Sequence, residues 1–290
     1  MGRLPVVILA LWSVAAGPVR APPAAVSFPL GALELTALRD SGYVSPNDGG
    51  DFGSDVGPEA VAGVLAAAGA SQDAISLSVD ALLVRMPGHV ALLDTGFGPD
   101  AAGALAESLR LAGVSPLEVT DVLITHSHPD HIGGLVDADG KSAFPRATVW
   151  LSQKEWVSMR TRGWASKMAA AIAPRVKTFE PGRPILPGIT PVALYGHTPG
   201  HVGYEIVSGA AKIEDIGDIA HSAIVSVEKP GWRGWIDEDP RAARLTRLTE
   251  LKRLAAEHEL IFSPHFPFPG VGWIIATGDG YAWKPDSDLR

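Results

Sequence analysis

From residue 33 onward the chain alternates short apolar runs with polar, glycine- and proline-rich breaks. Runs bounded in this way read as strands over 33–38, 75–85, 90–94, 122–125 and 148–151. Helices are predicted over 58–68 and 99–111, each with proline in its first turn, the second ended near Gly113. Ser152 followed by Glu155 forms a capping-box pattern for a helix through Met159, and 164–172 reads as another short helix before Pro174. The second half repeats the rhythm with strands over 192–195, 202–207, 212–216, 260–263, 273–277 and 281–284. Between them Asp239 and Pro240 open a long helix whose Leu245, Leu248, Leu251, Leu254 and Ala255 make an apolar stripe for packing. Acidic residues intersperse with its Arg241, Arg244, Arg247, Lys252 and Arg253, so these read as a solvated face and not a nucleic-acid patch. Strands often succeed one another without helices, and no G-x-G-x-x-G follows an early strand. Two sheets flanked by helices therefore fit better than a doubly wound dinucleotide domain.

Composition narrows the chemistry. The 290 residues are 46% hydrophobic and 19% charged, enough to bury a large core, with a formal net charge of -8. Glycine and proline, 32 and 24 in number, imply many ordered turns. The absence of cysteine excludes disulfides, thiolate metal sites and cysteine nucleophiles, leaving histidines and carboxylates to build any metal site. An apolar stretch over 4–16 after Arg3, with small residues around Ala21, reads as an export leader over 1–21, ahead of a single domain over 22–290. That stretch is too short to cross a bilayer, and Pro22-Pro23 breaks a continuing helix, so no stable membrane anchor is expected. The expected location is the periplasm or the medium, or the cytoplasm if the leader is retained.

The sharpest local feature is H-x-H-x-D-H, His126, His128, Asp130 and His131, directly after the strand-like 122–125. Imidazoles two residues apart at a strand end can converge on one ion, while a turn through Pro129 can aim Asp130 and His131 at a neighbouring one. The second half adds His197, Asp218 and His265, each after a strand-like segment.

With these residues the chain resembles the metallo-beta-lactamase superfamily of metallohydrolases. His126, His128, Asp130 and His131 match its signature, the later three match its remaining metal positions, and Leu93-Asp94-Thr95-Gly96 matches a segment that recurs before them. The resemblance implies an α/β fold, a four-layer alpha-beta/beta-alpha sandwich with the metals between loop ends of two sheets. It implies one site from His126, His128 and His197, a second from Asp130, His131 and His265, and Asp218 bridging both. Two divalent ions are expected, zinc first, with manganese, iron or cobalt able to use the same donors. Asp94 is expected to orient a ligating histidine, and His201 and His221 to support the ligands or simply pack. Two such ions can activate a shared water for hydrolysis, with Asp130 orienting the nucleophile and moving a proton.

The His265-Phe266-Pro267-Phe268-Pro269-Gly270 segment narrows the resemblance to the methyl parathion hydrolase and lactonase-like branch. Its substrates are lactones, aryl esters or organophosphate triesters, and homodimers are common in it. Phe97, Trp232, Trp235, Phe266, Phe268 and Trp273 are the candidate apolar contacts for such a substrate, each equally able to be core. The alternatives are a beta-lactamase or thioesterase of the same fold, or a zinc-binding protein without turnover. A nucleic-acid substrate fits poorly with a net charge of -8 and no separate binding module.

Overall fold

A computed structural model describes residues 16–234 and 236–289; most of the expected leader, and Trp235, lie outside the described residues. The first half supplies β1 (Gly17–Val19), β2 (Ala24–Leu30), β3 (Leu33–Pro46), α1 (Pro58–Ala67), β4 (Ala74–Met86), β5 (His89–Leu93), α2 (Leu105–Leu111), β6 (Asp121–Leu123) and α3 (Pro129–Ile132). Then follow β7 (Thr148–Ser152), α4 (Gln153–Thr161), α5 (Ser166–Ile172) and β8 (Val176–Phe179). The second half supplies β9 (Ile189–Ala193), β10 (Val202–Ser208), β11 (Ala211–Asp215), α6 (Val225–Glu228), α7 (Pro240–Glu257), β12 (Leu260–Phe262), β13 (Val271–Thr277) and β14 (Gly280–Pro285).

Two sheets result. One runs β1-β3-β4-β5-β6-β7-β8 with β2 also on β3, and the other runs β14-β13-β12-β11-β10-β9. Strands β5 to β8 are parallel, and β11 pairs with β12 in parallel; the other pairs are antiparallel. Between the sheets Leu35, Leu82, Leu93 and Leu123 of the first pack on Val202, Tyr204, Ile213 and Phe262 of the second. The outer face of the first sheet buries Leu105 and Leu109 of α2, Met159 of α4 and Ile172 of α5. That of the second buries Leu251 and Leu254 of α7. The order is helix, sheet, sheet, helix, the four-layer sandwich expected from the sequence.

Strands β2 and β8 form where no strand was expected, and three further details depart from expectation. Strand β3 runs eight residues beyond the expected end at Leu38, to Pro46, because Asp40 and Ser41, polar but buried, sit at a register shift that interrupts the apolar pattern. The helix expected over 99–111 breaks into a single turn at Pro99–Ala101 and α2; a Cβ on the intervening Gly103 would lie 2.6 Å from Asp40 Oδ1. On α7, Leu245 of the supposed stripe is 67% exposed, whereas Arg247 of the supposed solvated face is buried. The helix turns Ala243, Arg247, Glu250, Leu251 and Leu254 inward, so a purely apolar pattern misplaces its face.

Among the described residues no helix is long and apolar enough to cross a membrane. Strand β1, at Gly17–Val19, lies before the expected cleavage point and pairs with Gly42 to Val44 of β3.

Candidate metal centre

The candidate donors sit in the loops that follow β6, β9, β11 and β12. After β6, Pro129 starts the one-turn helix α3, which separates His126 and His128 from Asp130 and His131. The turn is held close to the loop after β5: Thr95 N–H and Oγ1 both donate to His131 O, and a Cβ on Gly133 would lie 2.0 Å from Phe97 O. Only glycine permits that approach.

Two donor sets face one another. His197 Nε2 lies 3.2 Å from His126 Nε2 and 2.9 Å from His128 Nδ1. His131 Nε2 and His265 Nε2 each lie 3.5 Å from Asp130 Oδ2. Asp218 stands between them: Oδ2 is 3.5 Å from His126 Nε2 and 3.3 Å from His197 Nε2, while Oδ1 is 3.3 Å from His131 Nε2 and 3.2 Å from His265 Nε2. All seven residues expected from the sequence therefore converge. His221 joins Asp218 and His265 in a third group, its Nε2 3.0 Å from Asp218 Oδ2 and its ring stacked on His265.

The groups fit divalent cations. His131 Nε2, His265 Nε2 and Asp218 Oδ1 are buried without a hydrogen-bond partner, a costly state for three atoms aimed at one point. One cation facing them satisfies all three, and nitrogen and carboxylate donors without sulfur suit zinc and its first-row neighbours.

The rings are oriented from behind. Asp94 Oδ2 is 2.8 Å from His131 Nδ1, Asp237 Oδ1 is 3.1 Å from His197 Nδ1, and Ser78 O is 2.8 Å from His265 Nδ1. Each partner occupies Nδ1 and leaves Nε2 to face the centre. Asp94 also accepts from Thr125 N–H and Thr125 Oγ1, locking the loop after β6 to that after β5. His201 donates from Nδ1 to Leu194 O and accepts at Nε2 from Asp218 N–H, so it supports the backbone of Asp218. Burial pushes its pKa down to about 3, which keeps it neutral in that role.

The charge distribution favours a bound cation. Burial alone would raise Asp218, but the surrounding imidazoles, His131 foremost, hold it well below the usual carboxylate range. Burial works against charge on His131, yet Asp218, Asp130 and Asp94 outweigh it and hold its pKa well above the usual value. His197 is likewise pushed up to about 9, its bonds to Asp218 and Asp237 prevailing over burial. Burial, with His131 beside it, drives His126 well below the ordinary range. Buried ionised carboxylates thus draw positive charge onto the imidazoles beside them, an electrostatic demand that a divalent cation would meet.

The aromatic expectations divide. Phe97 is half-buried and stacks on Tyr43, whose pKa is raised by burial and by the charges of Asp51 and Asp130. Trp232 lines a small cavity with His221 and Asp237 and packs on the α1 cluster. Phe266 is fully buried against Trp283, a core residue and not a substrate contact. Phe268 packs on the inter-sheet core under Arg39, and Trp273 stacks on His258 at the C-terminal end of α7; both are committed to packing. Proximity to His265 in sequence misleads because Phe266 and Phe268 turn into packing within the loop itself, while β13 carries Trp273 away from it. Trp235 lies outside the described residues.

Sequence reasoning missed Asp237, the partner of His197, and Arg247 behind it. Asp237 adjoins no motif. Arg247 donates to Pro230 O, Ile219 O and Trp232 O and lies 3.5 Å from Asp237 Oδ2, which joins α7 to the loops of His197 and Asp218.

The chain belongs to the metallo-beta-lactamase superfamily, whose family model matches residues 75–265. Among curated proteins it is 36% identical over 145 residues to Metallo-beta-lactamase domain-containing protein 1 of Mus musculus, covering 47% of this chain and 52% of that protein. It thus spans about half the length of that relative. Among solved structures it is similar to AidC, a dizinc quorum-quenching lactonase in complex with a product, with a TM-score of 0.88 and 27% identity over 92% of this chain and 99% of that one. It is also similar to the hydrolase AbOPH of the beta lactamase superfamily, with a TM-score of 0.84 and 30% identity over 92% of this chain and 99% of that one.

Proposed function

We propose that the protein is a dinuclear metal-dependent hydrolase of lactones, with aryl esters and phosphotriesters as related substrates. The observation that carries this reading is Asp218, which turns one carboxylate oxygen to each of two histidine-rich donor sets. The lactone preference is supported by similarity to AidC along nearly the whole of that lactonase.

In this proposal His126, His128 and His197 hold one ion, Asp130, His131 and His265 the other, and Asp218 both. Two divalent ions, zinc first, would supply Lewis acidity there when bound. Asp94, Asp237 and Ser78 O fix the histidine rings. The side chains of Asp130 and His128 are each 21% exposed, more than those of the other donors, and mark the open side. That exposure supports a further role for Asp130, steering the nucleophile and carrying a proton towards the leaving oxygen. Tyr43 and Phe97 offer an aromatic wall there, and a cavity of about 180 Å³ beside His265, lined by Leu65, Ile75, Ile224 and Pro267, offers room for an apolar substituent.

The test is a panel of an N-acyl homoserine lactone, an aryl ester, a phosphotriester and a beta-lactam, assayed on protein of measured metal content. Lactone ring opening, followed as acid release, is expected to be the fastest reaction. Folded, two-metal protein that turns over none of the first three would overturn the proposal. Export through the 1–21 leader belongs to the same reading, and the intact mass of chain recovered from the periplasm or medium tests it.

A further inference from the structure

We propose that Glu155 is a positioning residue that sets the geometry of the His126, His128 and His197 donor set by clamping its two loops together. The inference rests on the metal-centre reading but not on the substrate. Glu155, fully buried at the start of α4, touches none of the proposed donors. Its Oε1 accepts from Ser127 N–H at 2.8 Å and from Ser127 Oγ. Its Oε2 accepts from Thr198 Oγ1 at 2.6 Å and from Gly200 N–H at 3.1 Å. Ser127 is the residue between His126 and His128, and Thr198 is the residue after His197. One carboxylate therefore grips residues that adjoin all three donors in sequence, on two loops that are 71 residues apart at His126 and His197.

The sequence pattern at Ser152 and Glu155 belongs to a capping box, in which the glutamate reaches back to the N-cap N–H. Only half of that box forms. Ser152 Oγ accepts from Glu155 N–H at 3.1 Å, while the glutamate side chain is spent on the two donor loops. Ser152 Oγ also donates to Gly200 O at 2.7 Å, so cap and clamp hold the same loop. The packing leaves no slack: a Cβ on Gly200 would lie 2.2 Å from Glu155 N and 2.6 Å from Ser152 Oγ. The other donor set is tethered elsewhere, His131 by Asp94 and His265 by Ser78 O. The clamp thus acts on one site and spares the other.

Glu155→Gln keeps the shape but turns an amide N–H against the backbone N–H of either Gly200 or Ser127, so one half of the clamp must open. The two sites are read separately in the full chain, with cobalt(II) absorption and zinc competition against a chromophoric chelator. His265→Ala isolates the first site, and His128→Ala isolates the second. In the His265→Ala background, Glu155→Gln is expected to weaken metal binding about 10- to 100-fold and change the cobalt spectrum. In the His128→Ala background, binding is expected to stay within about threefold. Thr198→Val, which removes one hydroxyl and leaves Glu155 in place, is expected to give a smaller loss confined to the first site, and it decides the matter should Glu155→Gln fail to fold. Equal weakening at both sites, or no weakening at the first, would overturn the clamp. Unmodified protein that binds no metal would instead overturn the metal-centre reading and the clamp with it.

Discussion

Burying the guanidinium of Arg247 is tolerable because three carbonyls and Asp237 surround it, so its loss leaves acceptors unpaired in the interior. Arg247→Ala is therefore expected to cost about 3–5 kcal/mol, read from urea denaturation of metal-free protein. Arg241→Ala, on the exposed side of the same helix, should leave the midpoint unchanged. A buried carboxyl makes stability depend on pH. Burial first, then the charge of Glu250, pushes Glu214 up to about 8 from an ordinary 4.5, against the pull of Arg253. A raised carboxyl pKa means the folded state keeps a proton the unfolded state releases. The contribution is thus full below about pH 4.5 and is lost as pH climbs to about 8, with a slope of at most about 1.4 kcal/mol per unit. Urea midpoints from pH 5 to 9 should fall more steeply for the unmodified chain than for Glu214→Gln. At this scale the seven donors were legible because histidine and aspartate at strand ends and in H-x-H-x-D-H spacing form a local signal. Asp237, Arg247 and the clamp of Glu155 were not, since nothing near them in sequence says what they will meet.

Helix starts are the elements the chain announces most clearly. Asp239 accepts from Arg241 N–H and Ala242 N–H, with Pro240 in the first turn of α7, as the local pattern requires. Asp239→Ala is expected to lower stability by about 1 kcal/mol, a small shift in the urea midpoint without change in metal content. Of the parallel strands, β5, β6 and β7 were also visible as apolar runs, whereas β8, which buries only Phe179, was not. Strand β3 was visible only to Leu38, because the buried Asp40 spends its carboxylate on Phe97 N–H, Leu105 N–H and Ser41 Oγ, an arrangement that reads in sequence as a polar break. The inward face of α7 was misread for the same reason: Arg247 and Glu250 are polar residues with buried partners. A hydropathy pattern sorts residues by solvent preference and cannot see a polar group satisfied inside.

At the scale of the whole molecule the proposed ligands come from both halves: His126, His128, Asp130 and His131 follow a strand of the first sheet, and His197, Asp218 and His265 follow strands of the second. Bound ions would therefore brace the sandwich as well as serve catalysis. Each ion held at a hundredfold excess over its Kd adds about 2.7 kcal/mol, so removal of two by chelation is expected to lower Tm by roughly 10 °C. A thermal melt with and without chelator, reversed by added zinc, checks this. By itself the sequence determined much of the alternation of elements, the exclusion of thiolate chemistry and the choice of the seven candidate donors, all of which depend on residue type and short-range spacing. Only the tertiary structure decided which aromatics face packing, which carboxylates stand behind the histidines and how Glu155 joins two loops. Those roles depend on contacts between residues far apart in the chain, and such contacts exist only once both sheets have closed on a common core.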